Sequence, residues 1–329
     1  MNTANFDNAI LISNRIRDGL KKVIQGRDDT INLVVTALLA GGHVLIEDYP
    51  GSGKTTLAKT LGALIEDSSR NDQILPFRRI QFTPDLLPGD VLGVNIFEPK
   101  SGTFQFIPGP VFAHIVLADE INRTGPKVQA AFLECMAEKQ VTLDNHTHKL
   151  DELFFVIGTQ NPLDFAGTYP LPLVQLDRFL IKIPMSYVDS ETEKQILQNH
   201  SEITAAVNKC QPTCTRDEVI EAQKAVSMVE LNSLIRDAIV DFVQLTRTSA
   251  QCIYGLSTRA AIMLQQALKA WAITQGRNYV TEDDFKLLAP YVFMHRLKFH
   301  AGSGEEHVVF NDLITPIVDK LVSNGLKSL

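Results

Sequence analysis

The stretch Asp48-Tyr-Pro-Gly-Ser-Gly-Lys-Thr-Thr56 follows an apolar run and precedes an amphipathic pattern, a setting in which a chain can wrap a phosphate. Glycines at 51 and 53 let successive backbone N–H groups turn inward, and the helix that follows aims its positive end at the same point. Lys54 then reaches the β- and γ-phosphates of a nucleotide, and the Thr55 hydroxyl can ligate Mg²⁺. Pro50, Gly51, Ser52, Gly53 and Thr56 complete the cradle. Phosphate loops usually open on glycine. Here Asp48 holds that place, a residue that tolerates unusual backbone angles better than most. Taken alone, the motif leaves open a glycine-rich helix cap that binds nothing.

A second motif changes that balance. His114-Ile-Val-Leu-Ala-Asp-Glu120 is an apolar strand ending in two carboxylates. In a parallel sheet it delivers Asp119 beside Thr55, where the charge can hold Mg²⁺, and it places Glu120 to polarise an attacking water. Read singly, the two acids cap a strand and start a turn; paired with the phosphate loop they read as catalytic. Phe154-Phe-Val-Ile-Gly-Thr-Gln-Asn-Pro162 is a further strand whose terminal Asn161 can contact the γ-phosphate and the water, since an amide donates and accepts without adding charge. An Asn-Pro turn is its plainer reading. Arg178, before the next strand, and Arg259, at a helix start, can each stabilise a transferring phosphoryl group, and such an arginine can come from a neighbouring subunit. By themselves both are surface ion-pair formers.

These side chains need a scaffold. Val44 to Ile46, Arg79 to Phe82, Ile115 to Ala118, Phe154 to Ile157 and Phe179 to Ile183 are apolar runs of strand length, with helical patterns at Thr55 to Ile65 and Lys127 to Lys139 between some of them. Such alternation predicts an α/β fold with a parallel sheet covered on both faces, where ligands lie at the carboxyl ends of the strands. Two helices, Phe6 to Lys22 and Asp28 to Ala40, precede it. After Pro184 strands cease, and helical patterns occupy Ser190 to His200, Thr215 to Ser227, Leu234 to Ser249, Ser257 to Thr274 and Thr281 to Tyr291. The expected division is a nucleotide-binding core over 1–185 and an all-helical domain over 186–329.

The 329 residues suffice for two domains, and the net charge of −7 with no long basic block speaks against a dedicated nucleic-acid surface. The first thirty residues carry no secretory signal pattern, and the apolar segment 31–46 is too short and too interrupted to span a membrane. Cys135, Cys210, Cys214 and Cys252 lack the paired spacing of a zinc site and read as reduced thiols in the cytoplasm. His146 and His148 read as a solvated hairpin tip.

The order of motifs resembles the AAA+ ATPases, and their wording resembles the MoxR family from about residue 20 to 300. The telling stretches are Glu47 to Thr55, Ile80-Gln-Phe-Thr-Pro-Asp-Leu-Leu-Pro-Gly-Asp90, Gly109-Pro-Val-Phe112, Leu117-Ala-Asp-Glu-Ile-Asn-Arg123, Gly158-Thr-Gln-Asn-Pro162, Leu176-Asp-Arg-Phe179 and Leu256-Ser-Thr-Arg259. The resemblance implies an AAA+ P-loop NTPase core with a helical lid, Lys54 and Thr55 as the Walker A pair, Asp119 and Glu120 as the Walker B pair, and Asn161 as sensor 1. It likewise implies Arg178 as the arginine finger, Arg259 as sensor 2, and Val23-Ile-Gln-Gly26, including Val23, Ile24 and Gly26, beside the adenine. Two family insertions correspond to Asp85–Phe106 and to a hairpin over Gln140–Lys149, both facing a central pore. Leu173-Val174 departs from the pattern, standing where a Glu-Ala pair is expected.

The activity that the resemblance implies is that of a cytoplasmic ATPase which takes ATP and Mg²⁺ and assembles into a homo-oligomeric ring, a hexamer. It implies a client or co-chaperone that is remodelled or activated, one with a von Willebrand factor A domain. The rival expectations are a nucleotide-gated binding switch with little turnover and a DNA motor, the latter disfavoured by the acidic charge balance.

Overall fold

The computed structural model describes residues 3–48, 51–67, 74–161, 167–302 and 304–327. Helix α1 (Thr3–Lys21) buries Ala9, Ile12, Ile16 and Leu20, a spacing that stacks them on one face. Helix α2 (Asp28–Leu39) is buried from Thr30 to Leu39 apart from Asn32, because it is sandwiched between α1 and elements that arrive much later in the chain. Gly41, at φ +66°, ends it in the left-handed conformation that glycine adopts without steric cost.

Strand β1 (Val44–Asp48) leads to the phosphate-loop sequence and helix α3 (Lys54–Ala63). Next come the short β2 (Ile65–Glu66), then β3 (Leu75–Gln81), a five-residue helix α4 (Pro88–Leu92), and the antiparallel hairpin β4 (Gly93–Glu98) and β5 (Thr103–Pro108). Strand β6 (Ala113–Asp119), buried at all seven residues, is followed by α5 (Pro126–Glu138). A second hairpin, β7 (Gln140–Leu143) with β8 (His146–Lys149), turns on Asp144 and Asn145. Both turn residues have positive φ, +47° and +65°, as a tight two-residue hairpin turn requires. Strand β9 (Phe155–Gln160), the single-turn helix α6 (Leu173–Leu176) and β10 (Ile181–Met185) complete the core.

The five long strands form one sheet in the order β10-β1-β9-β6-β3, every pair parallel. Alternate residues face opposite sides. Leu45, Ile80, Val116, Ala118 and Val156 pack on α5 through Val128, Phe132, Leu133 and Met136. Val44, Ile46, Ile115, Leu117, Phe155, Ile157, Ile181 and Ile183 pack on the other face, in a cluster that runs on into the C-terminal helices. With both faces covered, the strands read as continuous apolar runs and not as alternation.

The remaining chain is α7 (Ser190–Gln198), α8 (His200–Asn208), β11 (Cys214–Thr215), α9 (Arg216–Ala225), α10 (Ser233–Thr248), β12 (Cys252–Tyr254), α11 (Thr258–Thr274), α12 (Glu282–Phe293), β13 (Lys298–Phe299) and α13 (Glu306–Lys327). Side-chain caps start many of them: Asp189 accepts from the N–H groups of Glu191 and Thr192, Asn232 from Leu234 and Ser257 from Ala260, while Thr215/Glu218 and Thr281/Asp284 form capping boxes. The expected end of strands at Pro184 holds for the main sheet but not for the whole chain, since β11 pairs with β2 and β12 with β13. The segment read as one helix from Ser190 to His200 stops at Gln198, and α8 and α13 were not anticipated.

The two hairpins touch. Asn95 donates to the Asp144 carboxylate at 2.7 Å, and His148 stacks on Phe106 with ring centroids 3.8 Å apart. Their outer edge is apolar, with Phe97 against Phe104 at 5.4 Å and both exposed. All four cysteines are free, and among the described residues no helix is long and apolar enough to cross a membrane.

Candidate nucleotide site

Three neighbouring strands bring the sequence-flagged side chains together. The loop after β1, the end of β6 and the end of β9 wall a cavity of about 280 Å³ lined by residues 51–56, Arg79, Asp119, Glu120, Thr159 and Asn161. The strand order explains the meeting, because β9 lies directly between β1 and β6, and their carboxyl ends point the same way. Gly51 and Gly53 have φ of +88° and +92°, with open space where a Cβ would stand, so the loop keeps its backbone turned inward. Gly53 is the N-cap of α3, whose first residue is Lys54. The Ser52 hydroxyl is buried in the same wall without a hydrogen-bond partner among the described residues, an orphan a phosphate oxygen would satisfy. Pro50 lies outside the described residues.

The paired acids are held by their neighbours. Thr159, 1 % exposed, donates its hydroxyl to Asp119 Oδ1 at 2.7 Å and accepts from the Glu120 backbone N–H at 2.9 Å. Arg79, on the adjacent β3, donates through Nε and Nη2 to Asp119 Oδ2 at 3.1 and 2.5 Å, and through Nη2 to Gln81 Oε1 at 2.6 Å. Gln81 in turn donates to Glu120 Oε2 at 2.9 Å, and Arg123 Nε lies 3.4 Å from the same oxygen. Glu120 itself sits at φ +56°, a left-handed backbone at the start of a 3₁₀ turn over Ile121–Arg123. Such strain in a residue without glycine's freedom persists only where surrounding contacts hold it. Beside the loop, Glu47 on β1 is neutralised by Lys182 at 2.8 Å and bonded by Gln160 at 2.7 Å.

A second cavity of about 670 Å³ shares Gly51, Ser52, Gly53, Thr55 and Thr56 with the first and runs between Val23, Ile24, Gln25 and Arg27 on one side and helices α7 and α8 on the other. Val23, Ile24 and Gln25 form one side; Tyr187, Ile196, Leu197, His200, Ile203 and Val207 form the other. Apolar walls leading away from a phosphate cradle suit a base and ribose. Gly26 is not part of that wall. It turns outward at φ +67° to line a neighbouring hollow, with Thr192 Cγ2 only 2.5 Å from where its Cβ would be.

Residues 43–181 match the model of the ATPase family associated with various cellular activities (AAA), and residues 244–317 match that of the AAA lid domain. The chain is 34% identical to Chaperone MoxR1 of Mycobacterium tuberculosis over 84% of its own length and 73% of the relative's. It is 42% identical to the uncharacterized protein YeaC of Bacillus subtilis over 91% of both chains. A crystal structure from Cytophaga hutchinsonii, itself named only as a candidate ATPase, superposes with a TM-score of 0.83 at 35% identity, covering 94% of this chain and 96% of that one. The chain belongs to the MoxR family of AAA+ ATPases.

In this MoxR-family chain the two flagged arginines stand apart from the cavity. Neither Arg178 nor Arg259 lines it. Arg259 Nε lies 3.6 Å from Asp177 Oδ2, the residue before Arg178, and Asp177 Oδ1 receives Arg296 Nε at 2.7 Å. Arg296, 7 % exposed, also donates to the carbonyls of Phe179, Leu180 and Val292, so the segment carrying Arg178 is clamped to the end of α12. Thr159, Arg79, Gln81 and Arg296 were missed by sequence reasoning. Thr159 sits two residues before the flagged Asn161 and faces the same carboxyl edge, which is the one local signal that pointed to it.

Proposed function

We propose that this ATPase binds ATP with Mg²⁺ across the two joined cavities, hydrolyses it to ADP and phosphate within a ring, and couples the cycle to remodelling or activating a partner protein. The observation that carries the reading is the convergence of residues 51–56 with Asp119, Glu120, Thr159 and Asn161 around one cavity. In it Lys54 and the inward N–H groups of the loop offset phosphate charge, and the hydroxyl of Thr55 with the carboxylate of Asp119 are the hard oxygen donors that suit Mg²⁺. When bound, that ion would supply charge compensation to the phosphates. Glu120 takes the proton of the attacking water, Asn161 orients that water, and Thr159 keeps both acids aimed. Val23, Ile24 and Gln25 flank the base.

Ring assembly is supported by the placement of Arg178 and Arg259 away from their own chain's cavity, where they can serve a neighbour's nucleotide. In this reading the ring is a hexamer, residues 1–185 are the nucleotide-binding core, residues 186–329 are the lid, and the location is cytoplasmic. The joined hairpins, with exposed Phe97 and Phe104, offer the client surface. A von Willebrand factor A domain as client follows from the family resemblance.

The test is Glu120→Gln. Nucleotide binding should persist while phosphate release, measured at ring-forming concentration, falls by orders of magnitude. Rapid turnover by that variant would remove Glu120 from its role, and negligible turnover by the wild type would favour a nucleotide-gated switch.

A further inference from the structure

The mechanism leaves one charged wall residue without a task. Arg79 projects from β3, opposite Leu117 in the β3–β6 register, and directs both Nε and Nη2 at a single oxygen, Asp119 Oδ2. Asp119 Oδ1 is already taken by Thr159. Both oxygens of the carboxylate that the proposed function turns toward a metal thus accept from donors of its own chain, Oδ2 twice, in a residue only 8 % exposed. A guanidinium and a divalent cation both compensate the same buried charge. A cation on Oδ2 would stand directly against the guanidinium, and two positive charges that close repel each other, so each weakens the other's hold.

We infer that Arg79 is a resident counter-ion which competes with the divalent cation for Asp119 and so sets the Mg²⁺ concentration this site requires. The inference rests on the reading of Asp119 as metal-facing. The pair is built asymmetrically: the Arg79 side chain is 46 % exposed, its partner's 11 %. Arg79 can therefore swing into solvent without opening a void, while Asp119 stays in place. The other arginine–aspartate pair nearby, Arg296 with Asp177, has the opposite design, with the arginine side chain 4 % exposed and locked by carbonyls. The fork geometry of arginine also matters, since Nε and Nη2 converge on Asp119 Oδ2 while Nη2 also holds Gln81, three bonds from two fixed nitrogens that the single nitrogen of a lysine does not reproduce.

The experiment is a Mg²⁺ titration of binding of a fluorescent ATP analogue to wild type, Arg79→Met and Arg79→Lys, with each variant's melting followed in EDTA and in Mg²⁺ alone. Removing the competitor should lower the half-saturating Mg²⁺ on the order of tenfold, the scale of one charged hydrogen bond. Affinity in EDTA should stay within about twofold, since Arg79 is not assigned to the phosphates. Arg79→Lys, which conserves the charge, should fall between. Mg²⁺ alone should raise the melting temperature of Arg79→Met more than that of wild type. An unchanged or raised half-saturating Mg²⁺ in a folded variant overturns the inference, and so does weaker binding in EDTA, which would give Arg79 a direct phosphate contact. If wild type binds no nucleotide at any Mg²⁺ concentration, the functional reading fails instead, and the metal-alone melts still decide whether Arg79 guards Asp119.

Discussion

Thr159→Val is the sharpest probe of how the acids are held. Valine has nearly the volume of threonine, so the buried position keeps its packing and loses only a hydroxyl. That hydroxyl makes two bonds, one donated to the Asp119 carboxylate at 2.7 Å and one accepted from the Glu120 N–H at 2.9 Å. A bond to a charged group contributes about 1.5–3 kcal/mol, and a buried N–H left unpaired costs about 1–3 kcal/mol. Because the Glu120 side chain is 27 % exposed, water can recover part of the second term, which leaves an expected loss on the order of 3 kcal/mol. Thr159→Ser, keeping the hydroxyl and losing one methyl, should cost about 1 kcal/mol. Urea unfolding of the three proteins measures this directly, read as a shift in midpoint at constant slope. Turnover of Thr159→Val should fall with it, as both carboxylates lose their aim. A Thr159→Val protein within about 0.5 kcal/mol of wild type, or a Thr159→Ser protein equally damaged, would refute the reasoning.

Burial lowers the His43 pKa from an ordinary 6.5 to about 4, and the ring stays neutral, donating from Nε2 to the Met136 carbonyl and accepting at Nδ1 from the Val156 N–H. Between those values the unfolded chain takes up a proton that the native state refuses, so stability falls as pH drops through this window, by on the order of 3 kcal/mol for this group. The stability gap between wild type and His43→Gln in urea should therefore shrink from pH 7 to pH 4.5, and a constant gap counts against it. Gly62→Ala should destabilise by about 1–3 kcal/mol in thermal melts despite alanine's better helix propensity, because the new Cβ would stand 2.8 Å from Phe77 Cβ and 2.9 Å from the Pro76 carbonyl of β3; a stabilised variant would contradict this. Mixing Arg178→Ala with Lys54→Ala protomers should restore about a quarter of wild-type turnover if neighbours assort randomly and the arginine acts in trans, whereas no recovery removes that role.

Much of the site was legible because its first requirements are local. Gly51 and Gly53 announce an inward-turned loop from residue type alone, and the acids at 119 and 120 announce a strand end because an apolar run stops there. The hairpin over 140–149 followed from the family resemblance, and its turn falls on Asp144 and Asn145, residue types that accept a left-handed backbone. Helix α8 was not legible, because it starts two residues after α7 ends and has no side-chain cap to mark its start. Arg79 and Gln81 lay in a strand-length run that reads only as scaffold.

Register is what promoted them. Gln81 pairs opposite Asp119 and Thr159 reaches the same carboxylate from the other flank only because β3 and β9 lie on either side of β6. These residues are about forty positions apart, and no pattern within a window of the chain encodes which strand becomes whose neighbour. The amino-acid order alone therefore settled the pieces whose geometry depends on a few adjacent residues: the inward-turned glycine loop and the ends of the apolar strands. Strand order, the clamp of Arg296 on the Arg178 segment and the competition at Asp119 had to await the folded chain, because each depends on which buried surfaces pack together, a choice made by the whole core at once.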